Sequence, residues 1–207
     1  MLIPFSVQNL IAFAVVVLAA LPLHEYGHAW MAVRLGDRTP YAQGRLTLNP
    51  LAHLDAVGTL LLAVAGFGWA KPVQFVPYNL RDAPSIKAGI LLVALAGPLV
   101  NVLIAIVAAL LFRVVGLENR DLAQVLLTIV YINLVLAVFN MIPLVPLDGS
   151  KVLWGLMPDS WSRTYEQIQR YSLFILLILM VPIGGVSLLS RTIIPIVSTL
   201  LRALVGL

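Results

Sequence analysis

The sequence predicts an all-α polytopic membrane protein, and three observations predict it. The 207-residue chain is 61% hydrophobic and 11% charged, with a mean hydropathy of +1.01. A soluble domain of this size cannot hide that much apolar surface. The apolar residues also come in runs, several of them long enough for the ~20 residues that cross a bilayer. Finally, the 13 Lys and Arg residues are scattered between those runs, where their natural role is to set topology. The net charge of +4 therefore points to no nucleic-acid partner. With no cysteine, disulfides and thiolate metal sites are excluded.

Five regions are strongly apolar. The first covers residues 7–35. It lacks a basic n-region and a cleavage signal, so it reads as a retained helix, not a signal peptide. The second, residues 57–70, is short and rich in Gly. The third is long, residues 88–115, and the fourth covers 122–141. The fifth begins at Tyr171 and runs to Leu207, broken by Pro182, Gly184, Gly185 and Pro195. Those breaks suggest two spans, with Ser190-Arg191-Thr192 between them. The expectation is about five transmembrane helices in a single domain, residues 1–207, with no internal repeat.

The second region decides the topology. Its 14 residues fall short of a span. If it is re-entrant, Arg34, Arg38, Arg45, Lys71, Arg81, Lys87, Lys151, Arg163 and Arg170 share one side. Only Arg113, Arg120 and Arg191 then face the other. If it spans, that bias vanishes. The positive-inside rule favours the re-entrant hairpin, with the first region's C-terminal end toward the cytoplasm. Around it, Leu46 and Leu48, then Val73 and Phe75, alternate like short strands ended by Pro and Gly. A strand edge at membrane depth must be buried or line a wet cavity, and it would suit an extended substrate.

The first region carries His24-Glu25-Tyr26-Gly27-His28, an H-E-x-x-H pattern. On a helix, residues four apart stack on one face, so both imidazoles can reach one metal ion. Glu25 lies beside the pair, where it can hold a water at the metal without ligating. Ionisable groups are costly in lipid, so three together in a membrane segment point to function. A catalytic zinc site usually takes three protein ligands and keeps one position open. Asp148 is the best third candidate. It follows Asn140-Met141-Ile142-Pro143-Leu144-Val145-Pro146-Leu147 and precedes Gly149. In the re-entrant topology it lies on the same side as His24. On local sequence alone, however, an Asp beside Gly is more often a loop or helix-end residue.

Taken together, these motifs resemble the site-2 protease family of intramembrane zinc metalloproteases, in its short branch without PDZ or CBS domains. The resemblance covers nearly the whole chain. His24-Glu25-Tyr26-Gly27-His28-Ala29-Trp30 is similar to the family's zinc helix. Gly97-Pro98-Leu99-Val100-Asn101 is similar to its G-x-x-x-N element. Asn140 through Gly149 is similar to its N-x-x-P-x-x-P-L-D-G element. Asn49 through Asp55 and Phe67 through Val73 look like markers of the short branch. Ala56-Val57 departs from the Pro-Leu common there, away from the proposed ligands.

The resemblance implies roles. His24, His28 and Asp148 would bind one Zn2+ per chain. Glu25 would be the general base and then the proton donor to the leaving amine. Asn101 and Asn140 would hold the substrate backbone or help stabilise an oxyanion. Asn also serves simply as glue between membrane helices. Asn133 belongs to no motif and reads as packing. His53, the remaining histidine, is open to three readings: a gating fourth ligand, a substrate contact, or a hydrogen-bonded loop residue.

The expected function is a zinc endopeptidase cutting peptide bonds in or near transmembrane segments of other membrane proteins. The alternative is a non-catalytic zinc-binding membrane scaffold that sequesters such proteins and does not need Glu25. A metal transporter fits poorly, because no paired repeats occur. The expected partners are a transmembrane protein substrate and the lipid bilayer, with a homodimer left open. The expected location is a bacterial or archaeal cell membrane, multi-pass, with the active site toward the cytoplasm.

Overall fold

The computed structural model describes residues 10–11, 14–65, 68–115 and 119–206. Parts of the expected first span (residues 7–9, 12 and 13), Phe67 of the connector motif and the terminal Leu207 lie outside the described residues. A π-helical turn, Val16–Ala20, leads into α1, Leu21–Arg34. Then come α2, Thr39–Ala42; α3, Ala56–Ala65; α4, Ile86–Val115; and α5, Arg120–Asn140. The chain ends with α6, Asp148–Leu156; α7, Ser162–Met180; a small hairpin of β1, Pro182–Ile183, and β2, Val186–Ser187; and α8, Leu188–Val205.

The long helix α4 is the axis of the fold. It packs against α1, α5 and α6. At 30 residues it is about 45 Å long at 1.5 Å per residue. Its C-terminal half offers Ala105, Ala108, Ala109 and Phe112 to Ala123, Leu126 and Val130 of α5 and to Ile193 and Val197 of α8. The alanines let the backbones approach closely, which is how helices associate without a hydrophobic drive in lipid. The N-terminal half of α4 faces α1 and α6 instead, and there the polar residues collect. Asn119 caps α5 by accepting from the Leu122 N–H at 3.1 Å. Ser187 caps α8, accepting from the Ser190 N–H at 3.1 Å.

Among the described residues, three helices are long and apolar enough to cross a membrane: residues 86–114 of α4, α5 and α8. The chain is thus a mostly helical membrane protein. The helix α7 has the length, but its first half carries Arg163, Glu166 and Arg170. The expected break at Ser190-Arg191-Thr192 falls inside α8. Pro195, another expected break, also lies inside α8, while the expected break at Gly184 and Gly185 is a hairpin whose φ values of +66° and +84° suit glycine in a two-residue turn.

The connector between α1 and α4 also differs from expectation. Neither 46–48 nor 73–75 forms a strand. One isolated antiparallel bridge joins Leu54 to Ala70, and the Lys71 N–H donates to the His53 carbonyl at 2.7 Å. These contacts bring together the two ends of the segment that contains α3. At 10 residues α3 is about 15 Å long, half a bilayer core. Arg45 is buried and clamps the same junction, its guanidinium donating to the carbonyls of Ala52 and Lys71.

Candidate active site

The helix α1 crosses α4 at two glycines. A Cβ on Gly27 would stand 2.9 Å from the Ala96 carbonyl oxygen. On Gly97 it would stand 2.6 Å from Cε1 of His28 and 2.7 Å from Cε1 of His24. Both positions therefore need glycine, the first for backbone approach and the second to make room for two imidazoles. His24, Glu25 and His28 are all buried at this crossing.

The outer nitrogens of the two imidazoles have fixed partners. Nδ1 of His28 lies 2.7 Å from the Val93 carbonyl oxygen, which can only accept, so that nitrogen carries the proton. Nδ1 of His24 lies 2.6 Å from Oδ1 of Asn101. Neutral imidazoles so arranged turn bare Nε2 lone pairs inward. The two Nε2 atoms are 3.1 Å apart, and Oδ2 of Asp148 stands 3.2 Å from each. Three ligands of a tetrahedral ion at 2.0–2.1 Å would be spaced about 3.3 Å apart, so this triangle fits a zinc-sized ion. The donor set of two imidazole nitrogens and one carboxylate oxygen suits zinc too. Glu25 is also close enough to be counted with the histidines as a metal-binding cluster. Its Oε2, however, accepts from the Val73 N–H at 3.0 Å, while Asp148 completes the triangle.

Asp148 is the first residue of α6, where the helix dipole favours a carboxylate. Gly149 lets this helix start pack on the end of α5, since a Cβ there would stand 2.5 Å from the Ile142 carbonyl oxygen. The helix α7 clasps the loop from outside. Gln169 accepts from the Val145 N–H at 3.0 Å and donates to the Pro143 carbonyl at 3.2 Å. Tyr165 donates to the Ser150 carbonyl at 2.5 Å.

A cavity of about 500 Å³ opens onto the triangle. Glu25 and Asn140 line it beside the three converging side chains, with Trp69 on the connector and Phe139 on α5 among its apolar walls. The side-chain N–H of Asn140 donates to the Leu136 carbonyl at 3.0 Å. Asn101 differs from the expectation of a substrate contact: it is fully buried, outside the lining, and its oxygen faces His24. His53 is fully buried in the connector, its Nε2 2.8 Å from the Thr47 carbonyl oxygen, and it does not line the cavity. The expected free strand edge is also largely occupied, because Lys71 and Val73 have both committed their N–H groups.

Sequence reasoning missed two contributors. Lys151 lines the cavity, its Nζ 3.8 Å from Oδ1 of Asp148 and 5.9 Å from the centre of the Phe75 ring. Its spacing of three from Asp148 on a helix was the available signal. Gln169 gave no local signal.

Known proteins resemble this chain over much of its length. The model of Peptidase family M50 matches residues 116–183, the stretch with Asn140 and Asp148. "Putative zinc metalloprotease YwhC" of Bacillus subtilis is 36% identical over 191 residues, covering 88% of this chain and 85% of the relative. "Putative zinc metalloprotease Rip2" of Mycobacterium tuberculosis (strain H37Rv) is 30% identical, over 78% of this chain and 63% of its own length. "Zinc metalloprotease MJ0392" of Methanocaldococcus jannaschii is 25% identical, over 71% of this chain and 34% of its own. No solved structure matches the chain.

Proposed function

Since the chain belongs to peptidase family M50, the site-2 protease family of zinc metalloproteases, we propose that it is an intramembrane endopeptidase. Its substrates are membrane proteins, cut in or near a transmembrane segment. The observation that carries this is the triangle of two imidazole nitrogens and one carboxylate oxygen, opening on a cavity beside Glu25. His24, His28 and Asp148 hold one zinc ion. A zinc ion held there supplies Lewis acidity, bringing water toward ionisation near neutral pH and polarising a carbonyl.

The chain's own residues do the rest. Glu25 takes a proton from the attacking water and returns it to the leaving amine. The Val73 N–H keeps its carboxylate turned to one side of the triangle. Asn140, on the cavity wall, is the amide available to a substrate carbonyl or a developing oxyanion. Asn101 orients His24 instead of touching the substrate. His53 and Arg45 hold the connector. The apolar cavity walls suit the side chains of an unwound transmembrane helix, whose amides must be freed before a carbonyl is exposed.

The bridge between Leu54 and Ala70 supports a re-entrant α3 that returns to its own side. With that topology the chain is one domain of about five membrane passages. The basic residues then gather on the side of the α1 C-terminal end, which is the cytoplasmic side.

The test is cleavage of a single-pass substrate by purified protein in detergent, with bound zinc assayed in wild type and Glu25→Gln. The proposal expects wild type to cut, and the variant to keep zinc and lose about 10²–10⁴-fold in rate. A variant that cuts as fast as wild type removes Glu25 as base. Zinc held in full by a protein that cuts no transmembrane substrate would favour a scaffold.

A further inference from the structure

We propose that Asn133 is a positioning residue for the metal centre, fixing through Asn101 which nitrogen of His24 carries the proton. This rests on the reading of His24 as a metal ligand. Asn133 is fully buried in α5, far in sequence from α1 and outside the cavity lining. Its side-chain amide runs in a chain of three contacts. Nδ2 of Asn133 donates to the Ile129 carbonyl at 2.9 Å. Nδ2 of Asn101 donates to Oδ1 of Asn133 at 3.0 Å. Oδ1 of Asn101 then lies 2.6 Å from Nδ1 of His24.

The direction of that chain is forced from one end. A backbone carbonyl can only accept, so the amino group of Asn133 must face Ile129. Its oxygen must then face Asn101, and Asn101 must answer with its own amino group. The oxygen of Asn101 is thereby left for His24. An oxygen at Nδ1 demands a proton there, which leaves Nε2 bare toward His28 and Asp148. Turn the two amides over, and oxygen meets oxygen at Ile129 while an N–H meets Nδ1. The proton of a neutral His24 then moves to Nε2, the nitrogen the metal needs. His28 has no such dependence, because the Val93 carbonyl holds its Nδ1 directly. The two histidines of the motif are therefore oriented by different means, one by backbone and one by a relay of two amides.

The experiment uses the full chain in detergent with ¹⁵N-labelled histidine, stripped of metal, at a pH above the imidazole range. There are only three histidines, so the ring nitrogens can be assigned by single His substitutions. The variants are Asn133→Leu and Asn133→Ser. Serine can still donate to the Ile129 carbonyl and disturbs the packing least, but it is too short to reach Asn101. In wild type, Nδ1 of His24 carries the proton. In both variants the Nε2-protonated form of His24 appears, while His28 is unchanged. Zinc affinity, measured by chelator competition, falls about 10–100-fold. Asn133 is only a packing residue if His24 keeps its proton on Nδ1 and zinc affinity is unchanged in Asn133→Ser. It is likewise only a packing residue if thermal stability alone drops. A wild type with His24 protonated on Nδ1 that binds no zinc would sink the metalloprotease reading and leave the relay standing.

Discussion

The N–H of Val73 donates to Oε2 of Glu25 at 3.0 Å, across 48 positions of sequence. A backbone group of the connector thus touches the carboxylate that follows His24. Val73 is held in turn by its neighbours: the Lys71 N–H is bonded to His53 and the Lys71 carbonyl to Arg45. The position of the Glu25 carboxylate therefore depends on a clamp outside the cavity.

Arg45→Ala tests that dependence. It removes the buried guanidinium from the carbonyls of Ala52 and Lys71, which lie at a partly buried junction. The expected cost is about 2–3 kcal/mol of stability, in the range for hydrogen bonds to a charged group. Activity should fall at least tenfold while bound zinc is retained, because no member of the triangle sits on the connector. Equal loss of zinc and activity would show the clamp acting on the whole fold and not on Glu25.

Gly97→Ala concentrates its damage on the imidazoles. Alanine is favoured over glycine inside a helix by about 1 kcal/mol. Here its methyl would meet Cε1 of both His28 and His24. Overpacking of that kind costs about 1–3 kcal/mol, and the rings are what must move. The expected outcome is a drop in zinc affinity of about tenfold or more, with helix content preserved by circular dichroism. Unchanged zinc affinity would mean the rings have slack that the contact distances do not suggest.

How much of this was legible in the sequence follows from how local each feature is. The H-E-x-x-H pattern was readable because helical spacing alone puts both imidazoles on one face. Asp148 was readable as a candidate, though only its place at the start of α6 sets its Oδ2 against both Nε2 atoms. The need for Gly97 was not, because it depends on where two helices cross. The partner of Asn133 lies 32 residues away on another helix, so local sequence supports only a packing role. The Val73 contact is invisible to any motif, since every residue but proline carries that N–H. The break at Gly184 and Gly185 was readable because positive φ suits glycine, whereas Ser190-Arg191-Thr192 and Pro195 were misread as interrupting a helix that in fact runs through them.

Removal of the metal and removal of Asp148 should converge. Chelation is expected to abolish cleavage, and one equivalent of zinc to restore it. Asp148→Asn keeps the shape of the side chain but gives up the carboxylate, and should not regain activity at one equivalent. Zinc content after dialysis, read by atomic emission, checks this. A variant that holds zinc like wild type would move the third ligand elsewhere, with Glu25 the next candidate by distance.

Asp37 gives the clearest pH dependence outside the membrane. It is fully buried just after α1 and accepts from the N–H and hydroxyl of Thr39, from the Val76 N–H and from Asn79. Burial raises its pKa, but these hydrogen bonds outweigh burial and hold it below the ordinary carboxylate range. A group depressed in the folded state stabilises above its unfolded pKa, about 3.9, and loses that contribution as pH falls through the folded value. Stability in detergent should therefore drop below about pH 4 by more in wild type than in Asp37→Asn. At neutral pH the variant should be less stable by about 2–4 kcal/mol, because the Val76 N–H and its neighbours lose a charged acceptor. A wild-type-minus-variant difference that stays constant from pH 7 to pH 3 would mean that Asp37 is not the group being titrated, and that its hydrogen bonds do not depend on its charge.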